Sequence, residues 1–304
     1  MDFVTTTSDP LWPSAATLLQ SAPDPQRRNV GLLGISTFAT SVTSRSAIST
    51  PGAIRSALTR YSTWSYSDMF DLADTMCLVD YGDVADPDGD GGSERVLEAT
   101  KKFDPSLELR MLLGGDNAAT WHGLRALAGG ELANWGLITI DAHHDLRDGR
   151  SNGSPVRQLL EEGLDGHHVV QVGLADFSNS TAYAQRAHDA GITVISRDVL
   201  RDQTIEEAAT HAMVVAGAGG RPVYVDIDMA AADRSVVPGC PAAAPGGLSA
   251  DEMRRFVRAV THGAQVRAID ITEIDVQLDS EDQRTVRLAA LLVLEALVGL
   301  HRRQ

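Results

Sequence analysis

Short apolar runs alternate with segments of helical periodicity along most of this chain, and this alternation constrains the fold more than any other feature. Residues 137–140 are apolar except for one threonine, which is typical of a strand buried on both faces of a sheet. Regular alternation of strands and helices predicts a parallel sheet with helices on both faces. The predicted strands are Val30–Ile35, Cys77–Tyr81, Leu107–Leu113, Gly136–Asp141, His168–Gly173, Thr193–Ser196, Pro222–Asp228 and Val266–Ile274.

Helical patterns fill the segments between these strands. The predicted helices are Ala53–Tyr61, Ala118–Ala128, Pro155–Glu162, Ser180–Asp189, Ile205–Ala216, Ser249–His262 and Thr285–Leu300. Ser249 followed by Glu252 is typical of a capping box at a helix start. Neither a repeat nor a linker divides residues 29–304, so we expect a single domain there, after an extension of residues 1–28. Asp86–Gly92 is predicted to be a solvated turn, because it lacks the flanking helices and the distal glutamate of a calcium loop.

The chain is strongly acidic, with a formal net charge of -15 over 304 residues. This charge excludes nucleic acid as a partner, and an anionic substrate would need locally placed arginines. The start of the chain lacks a basic region followed by an apolar run, and Glu295 interrupts the longest apolar stretch, so we expect neither a targeting signal nor a membrane span. Cys77 and Cys240 form no metal-type spacing, which fits reduced thiols in a soluble, cytoplasmic protein.

Acidic clusters follow three of the predicted strands. They are Gly114-Gly115-Asp116-Asn117, Asp141-Ala142-His143-His144-Asp145 and Asp226-Ile227-Asp228. Because ligand sites in open parallel sheets form at the carboxyl ends of the strands, we expect these clusters to converge.

The spacing within the clusters supports a common site. In an extended segment, residues two apart point to the same side, so Asp141, His143 and Asp145 can face one point, as can Asp226 and Asp228. Carboxylates gathered in this way would repel one another unless cations neutralise them. Oxygen-rich sites with an imidazole suit Mn²⁺ or a similar ion, and a water held between two such ions becomes a nucleophile.

Simpler explanations exist for each motif taken alone. A single Asp-x-Asp pattern is usually a solvated strand end or a helix cap. The presence of both acidic patterns after buried strands, with a Gly-Gly-Asp turn before them, favours a metal site. His144 points away from its neighbours by the same alternation and is predicted to pack behind the site, while His167 and His168 are predicted to be structural.

The motifs, in this order, resemble the ureohydrolase superfamily of arginases, agmatinases and formimidoylglutamases. The resemblance extends over nearly the whole chain from Val30 onward and includes the segments Pro51–Arg55, Asp80–Val84 and Ile271–Asp275. It implies a three-layer α/β/α fold around a mostly parallel eight-stranded sheet. It also implies two Mn²⁺ ions per subunit, a homo-oligomer, and one ureohydrolase catalytic domain over residues 29–304.

The resemblance implies a role for each residue of the site. Asp141 and Asp226 match the bridging carboxylates, Asp145 and Asn117 would complete one metal, and His143 and Asp228 would complete the other. Glu273 matches the glutamate that binds the cationic nitrogens of the substrate. Two departures stand out: Asn117 replaces the histidine of most family members, and two extra residues before Asp233 keep that aspartate out of the predicted metal site.

Within the superfamily, the segments Asn152–Leu159, Phe177–Ser180 and Pro238–Leu248 resemble formimidoylglutamases. Arginases have a histidine proton shuttle where this chain has Asn152, which counts against an arginase. The implied reaction is hydrolysis of N-formimidoyl-L-glutamate to L-glutamate and formamide by a metal-bridging hydroxide, in histidine degradation. Asp145 would orient the nucleophile and move its proton, while Glu273 would pair with the amidinium.

The substrate carboxylates would need donors. Arg157 is the first candidate, because a guanidinium fork matches a carboxylate, although an alternative is a surface pair with Glu161 one turn later. Asn152, Ser178 and Asn179 are further candidates for substrate binding, with Arg147 after them. Two alternative functions stay open: a guanidino hydrolase that releases urea or a urea derivative, and a non-catalytic relative that keeps the fold.

Overall fold

The computed structural model describes residues 9–43 and 50–303. In its large sheet the strands are β1 (Leu19–Gln20), β2 (Arg28–Ile35), β5 (Met76–Asp83), β6 (Leu107–Gly114), β7 (Gly136–Ile140), β8 (Val169–Leu174), β9 (Thr193–Ser196), β10 (Val223–Asp228) and β11 (Val266–Thr272), while β3 (Trp64–Ser65) and β4 (Phe70–Asp71) form a small antiparallel ribbon. The large sheet has nine strands in the order β1-β5-β2-β6-β11-β10-β7-β8-β9, and each of these pairs is parallel. All eight predicted strands are confirmed, and β1 adds a ninth at the edge.

The helices are α1 (Thr50–Ala57), α2 (Leu72–Thr75), α3 (Gly92–Thr100), α4 (Ala118–Ala128), α5 (Pro155–Glu161), α6 (Thr181–Asp189), α7 (Ile205–Ala216), α8 (Ala250–His262) and α9 (Arg284–His301). The capping box predicted at Ser249 is present, with Glu252 bonded back to the cap backbone. Helices α2 and α3 were not predicted. The structure shows no helix, in the part of the chain it describes, that is long and apolar enough to cross a membrane.

The turn predicted at residues 86–92 is present, but the expectation that no helix flanks it is wrong. Helix α3 follows the turn directly. The turn is also fixed to the protein, because the Asp88 carboxylate accepts hydrogen bonds from the backbone N–H groups of Phe38 and Ala39, each at 2.6 Å. Asp88 therefore anchors the loop that follows β2.

Two apolar layers cover the two faces of the sheet. On one face, the core includes Ile54 of α1, Phe256 of α8 and Leu292 of α9, together with alanines of α7. On the other face, the core is built from Leu124 of α4 and Val156 of α5, with residues of α3 and α6. The predicted three-layer α/β/α architecture is confirmed.

The position of β11 governs where the site can form. The half of the sheet made of β1, β5, β2 and β6 comes from residues 19–114, and the half made of β10, β7, β8 and β9 comes from residues 136–228. Strand β11 lies between β6 and β10 and joins the two halves. The carboxyl ends of β6, β11, β10 and β7 are consequently side by side at the centre of one sheet edge.

Candidate metal centre

Four neighbouring strands deliver the acidic clusters to one place. Asn117 follows β6 at the start of α4, Glu273 follows β11, Asp226 and Asp228 end β10, and Asp141 follows β7. The convergence of these clusters, which the sequence predicts, is therefore present in the structure.

Three of the carboxylates form a tight group. One carboxylate oxygen of each of Asp141, Asp145 and Asp228 lies within 4.8 Å of the other two such oxygens. All three residues are buried. Asp226 is fully buried beside them. His143 lies at the edge of the group, with its Nδ1 at 3.3 Å from Oδ1 of Asp141. The group combines a high density of negative charge with little access to water.

The backbone turns sharply where these side chains meet. Strand β7 ends at Ile140, and the Asp141 carboxylate accepts a hydrogen bond from the backbone N–H of His143 at 2.9 Å. Asp145 has a left-handed backbone with φ of 54°, so the residues converge through a turn and not through the strand-like alternation used to predict them. Glu273 is also left-handed, with φ of 63°. Non-glycine residues in this region carry strain, and such strain concentrates at functional sites.

Burial and crowding shift the protonation of the cluster. Burial raises the pKa of Asp145 well above its ordinary value, and the charge of Asp141 raises it further. Burial likewise raises the pKa values of Asp226 and Asp228. At His143, burial alone would lower the pKa, but the hydrogen bond to Asp141 and the nearby carboxylates outweigh it and raise the pKa to about 9.

The donor set fits hard divalent cations. Buried carboxylates this close together are stable only when protons or cations neutralise them, and the same burial and crowding raise the pKa values of Asp145 and Asp228. Carboxylate oxygens with an imidazole and an amide oxygen are ligands that Mn²⁺ accepts, whereas thiophilic ions prefer cysteine. The residues therefore fit a centre of two Mn²⁺ ions.

The amide of Asn117 lies inside this cluster. Its Nδ2 donates to Oδ2 of Asp145 at 2.5 Å and is 3.4 Å from Oδ2 of Asp226. Its Oδ1 accepts hydrogen bonds from the hydroxyls of Thr120 at 2.6 Å and Thr272 at 3.1 Å. The predicted metal residue is thus in contact with two of the predicted metal carboxylates.

Glu273 is held by donors from two directions. Its Oε1 accepts hydrogen bonds from the backbone N–H of Asn117 at 2.9 Å and from the side-chain amide of Asn152 at 2.8 Å. The amide oxygen of Asn152 in turn accepts from the backbone N–H of Val42 at 2.9 Å. Both ends of the Asn152 side chain are therefore committed to protein partners.

A cavity of about 430 Å³ opens over the cluster. Its lining includes His143, Asp145, Asp228 and Glu273 on the floor. The other lining residues include Arg147, Asn152, Ser178 and Asn179. Arg147 is exposed, and no carboxylate of the described residues lies within ion-pair distance of its guanidinium. The guanidinium of Arg147 is therefore a cationic hydrogen-bond donor at the wall of a cavity whose floor is acidic.

Arg157 does not reach this cavity in the described structure. Its guanidinium pairs with Glu161 at 2.5 Å and donates to the backbone carbonyls of Arg147 and Gly149. The alternative weighed for this residue, a pair with Glu161, is the arrangement observed. Its contacts with the two carbonyls hold the backbone of the loop that presents Arg147.

Asn179 and His144 support the turn after β7. The Asn179 amide accepts from the backbone N–H of His144 and donates to the carbonyl of Ala142, each at 2.9 Å. The buried ring of His144 contacts Oε1 of Gln171 at 2.6 Å and packs behind the site, as predicted. Asn179 lines the cavity, but its polar atoms fix the backbone of the turn.

A buried polar network behind the carboxylates was not predicted. Asp270 lies within β11, opposite Asp226 in the register with β10, and is fully buried. It accepts hydrogen bonds from the hydroxyls of Thr120 at 2.8 Å and Tyr224 at 2.7 Å. Burial raises the pKa of Asp270 to about 6. The available signal was a charged residue at a buried position of β11, which is costly unless it is hydrogen-bonded, whereas the other charged residue of this strand, Arg267, is exposed.

Comparison with known proteins connects this geometry to a family. A family model described as the arginase family matches residues 28–299. The chain belongs to the arginase family. It is 32% identical over 279 residues to a formimidoylglutamase of Bacillus subtilis, covering 88% of this chain and 86% of that one. It is 33% identical over 278 residues to a formimidoylglutamase of Halalkalibacterium halodurans, with the same shares covered.

A solved structure agrees with the arginase-family fold over its full extent. The crystal structure of formimidoylglutamase from Bacillus subtilis superposes with a TM-score of 0.89 at 27% identity, covering 100% of this chain and 96% of that one.

One contact explains why two of the family-like segments occur together. Arg55 of the first segment pairs with Asp80 at 2.9 Å and Asp83 at 2.7 Å of the second, which ties α1 to the end of β5.

Proposed function

We propose that this chain hydrolyses N-formimidoyl-L-glutamate to L-glutamate and formamide with two Mn²⁺ ions per subunit. The observation that carries the proposal is the buried carboxylate group on the floor of a cavity whose wall presents an arginine without a carboxylate partner among the described residues. The acidic floor suits metals and a cationic amidinium, and the arginine suits the carboxylates of the substrate. The names of the two formimidoylglutamases compared above agree with this substrate.

We assign the metal ligands as the family resemblance implies. Asp141 and Asp226 would serve both ions, Asp145 and Asn117 would complete one, and His143 and Asp228 would complete the other. Support comes from the contacts that join Asn117 to two carboxylates and from the proximity of Asp141, Asp145 and Asp228. When bound, two such ions lower the pKa of a water between them and so supply the nucleophile.

The chain supplies the remaining chemistry. Glu273 pairs with the amidinium and holds its carbon over the cluster, because its Oε1 is already fixed by Asn117 and Asn152. Asp145 accepts a proton on a carboxylate oxygen and passes it to the departing glutamate nitrogen. The bond that breaks joins the amidine carbon to that nitrogen, and water supplies the oxygen of formamide.

Substrate carboxylates are assigned to Arg147 in place of Arg157. Arg147 lines the cavity, whereas the guanidinium of Arg157 is occupied by Glu161 and two backbone carbonyls. Ser178, which also lines the cavity, is a second donor for a substrate carboxylate. Asn152 acts on the substrate through Glu273, and Asn179 acts by fixing the turn after β7.

We also propose a cytoplasmic homo-oligomer that acts in histidine degradation, with residues 29–304 as its catalytic domain. A chain with two cysteines in 304 residues does not depend on a disulfide framework, which is usual in a reducing compartment.

A panel assay tests the proposed function. Purified protein loaded with Mn²⁺ is given formimidoylglutamate, arginine, agmatine or guanidinobutyrate, and formamide, glutamate and urea are measured separately. We expect equal amounts of formamide and glutamate from formimidoylglutamate and little urea from the three guanidines. Urea release from any guanidine at a higher kcat/KM than formimidoylglutamate hydrolysis would overturn the proposal.

A further inference from the structure

The side-chain amide of Asn117 lies between two sets of partners with different chemistry. On one side are the carboxylates of Asp145 and Asp226, which accept hydrogen bonds. On the other side are the hydroxyls of Thr120 and Thr272, which both donate and accept. The hydroxyls can therefore pair with either end of the amide, whereas the carboxylates pair with its nitrogen unless a cation lies between them and its oxygen.

The observed orientation leaves the hydroxyls short of protons. Thr120 Oγ1 has one proton and two neighbouring acceptors, Oδ1 of Asn117 at 2.6 Å and Oδ2 of Asp270 at 2.8 Å. Thr272 Oγ1 is placed in the same way between Oδ1 of Asn117 at 3.1 Å and Oδ1 of Asp226 at 3.4 Å. Each hydroxyl can donate to only one of its two acceptors.

Rotating the amide by half a turn removes this shortage. The two hydrogens of Nδ2 then face the oxygens of Thr120 and Thr272. Each hydroxyl accepts one of them and donates its own proton onward, Thr120 to Asp270 and Thr272 to Asp226. Every donor has an acceptor in this arrangement, and the amide oxygen faces the carboxylate cluster.

We infer that Thr120 and Thr272 are positioning residues that turn the oxygen of Asn117 toward the metal. The inference rests on the proposed function, in which Asn117 is a metal ligand. The amide nitrogen cannot coordinate a cation, because its lone pair is delocalised into the carbonyl and both of its hydrogens point outward, so a ligand asparagine needs partners that accept both hydrogens. The two threonine hydroxyls are the accepting partners that the fold provides.

Burial strengthens the effect of Thr120 and Thr272 on the orientation of the Asn117 amide. Asn117, Thr120 and Thr272 are all buried, so water is not at hand to replace a missing hydroxyl. The two threonines come from different elements, since Thr120 is in the first turn of α4 and Thr272 ends β11. Asp270, the acceptor for Thr120, is fixed in turn by the hydroxyl of Tyr224 at 2.7 Å.

The test measures Mn²⁺ affinity in the whole protein by the electron paramagnetic resonance signal of free Mn²⁺. The variants are Thr120→Val, which removes the hydroxyl at nearly constant shape, and Thr120→Ser, which restores it. Because partners of metal ligands change affinity by about 10–100-fold, we expect Thr120→Val to weaken one of two Mn²⁺ equivalents by that factor. Thr120→Ser is expected to recover most of the loss.

Two controls separate orientation of Asn117 from a general structural effect. Thr139 lies on β7 in register with Asp226 and is buried, but its hydroxyl has no hydrogen-bond partner within residues 9–43 and 50–303. Thr139→Val should leave both affinities unchanged. Thr120→Val in an Asn117→Ala background should add no further loss, because the residue it positions is gone.

The outcomes are distinguishable. Wild-type affinity at both sites in Thr120→Val, or an equal loss in the Asn117→Ala background, would overturn the inference and leave the proposed function intact. A wild-type chain that binds no Mn²⁺ would overturn the proposed function and the inference with it.

Discussion

Asn152 donates its side-chain N–H to Oε1 of Glu273 at 2.8 Å, while its own amide oxygen accepts from the backbone of Val42. The loop after β2 is thereby linked to the carboxylate that we assign to the substrate amidinium. Because Asn117 also donates to this oxygen, Glu273 is oriented before substrate arrives. Preorganisation of this kind lowers the cost of holding a reacting group in place.

Removal of the Asn152 amide should reduce catalysis through Glu273. A hydrogen bond to a charged group contributes about 1.5–3 kcal/mol, so Asn152→Ala should lower kcat/KM for formimidoylglutamate by about 10–100-fold. Bound Mn²⁺, measured by mass spectrometry after dialysis, should stay at the wild-type level because Asn152 contacts no assigned metal ligand through its side chain. A loss of metal together with activity would place Asn152 in the metal site instead.

Loss of either His143 or Asp228 should remove one metal. His143→Ala and Asp228→Ala each take away a residue that we assign to the same ion, so we expect about one Mn²⁺ per subunit in place of two, and nearly no turnover. Metal content and formamide production are measured on the same preparation. Full activity with an intact metal content in either variant would contradict the ligand assignment.

Arg147 and Arg157 form a matched pair for the substrate carboxylates. Arg147→Ala should raise KM for formimidoylglutamate by about 10–100-fold, because it deletes a charge-assisted hydrogen bond. Arg157→Ala should instead leave KM within a few-fold and lower the unfolding temperature, since its guanidinium holds Glu161 and two loop carbonyls. The reverse pattern would show that Arg157, and not Arg147, binds the substrate carboxylates.

Mn²⁺ binding should tighten as pH rises. In the metal-free folded state, the raised pKa values of Asp145 and Asp228 keep them protonated at pH values above the ordinary carboxylate pKa. His143 has a pKa of about 9 and stays protonated at lower pH. These groups bind more protons folded than unfolded, so their contribution to stability is present at low pH and is lost as pH rises through the raised pKa values. A metal ion must displace the protons, so each one released makes Kd fall about tenfold per pH unit.

Titration of Mn²⁺ by calorimetry between pH 6 and pH 9 checks this expectation. At least one proton, that of His143, should leave in this range, and the variant His143→Gln should show a shallower dependence. A Kd that does not change with pH in the wild-type protein would show that the cluster binds the ion without releasing protons.

Gly115 should tolerate no side chain. A Cβ at this position would lie 2.2 Å from the carbonyl oxygen of Thr37, so the turn that carries Asn117 would have to move. Forcing a methyl group into such a contact costs about 1–3 kcal/mol, and we expect Gly115→Ala to lower the free energy of unfolding by that amount. Urea unfolding of the metal-free protein measures the cost, and Mn²⁺ titration measures the displacement of Asn117. Wild-type values in both would show that the backbone at Thr37 yields freely.

Much of the fold could be predicted because its strands are buried on both faces. Apolar runs such as residues 137–140 are typical of parallel strands that helices cover on both faces. The edge strand β1 has two residues and therefore no periodicity to detect. Helix α3 begins at Gly92 directly after a stretch of aspartates and glycines, where local propensity indicates a turn and packing of Val96 against the sheet decides otherwise.

Some residues of the site could likewise be predicted from the sequence, and others could not. Residues at strand ends, such as Asp141 and Asp228, could be predicted because a single edge of a parallel sheet collects them. The choice between Arg147 and Arg157 depended on Glu161, which pairs with Arg157 and so competes with a substrate carboxylate. Sequence spacing alone does not show which of these two partners Arg157 takes. Asp270 was missed because the partners of a charged residue within a strand are not visible in the sequence, and Thr120 comes from α4.

The order of the strands has a consequence for the chain as it is synthesised. Both halves of the sheet are complete by residue 228, but β11, which joins them, ends at Thr272. A nascent chain therefore carries two open strand edges, those of β6 and β10, until β11 has left the ribosome. Open edges are the surfaces through which unfinished chains pair with one another. Asn117 and Asp226 belong to opposite halves, so the metal site that we propose is complete only after this vulnerable stage has passed.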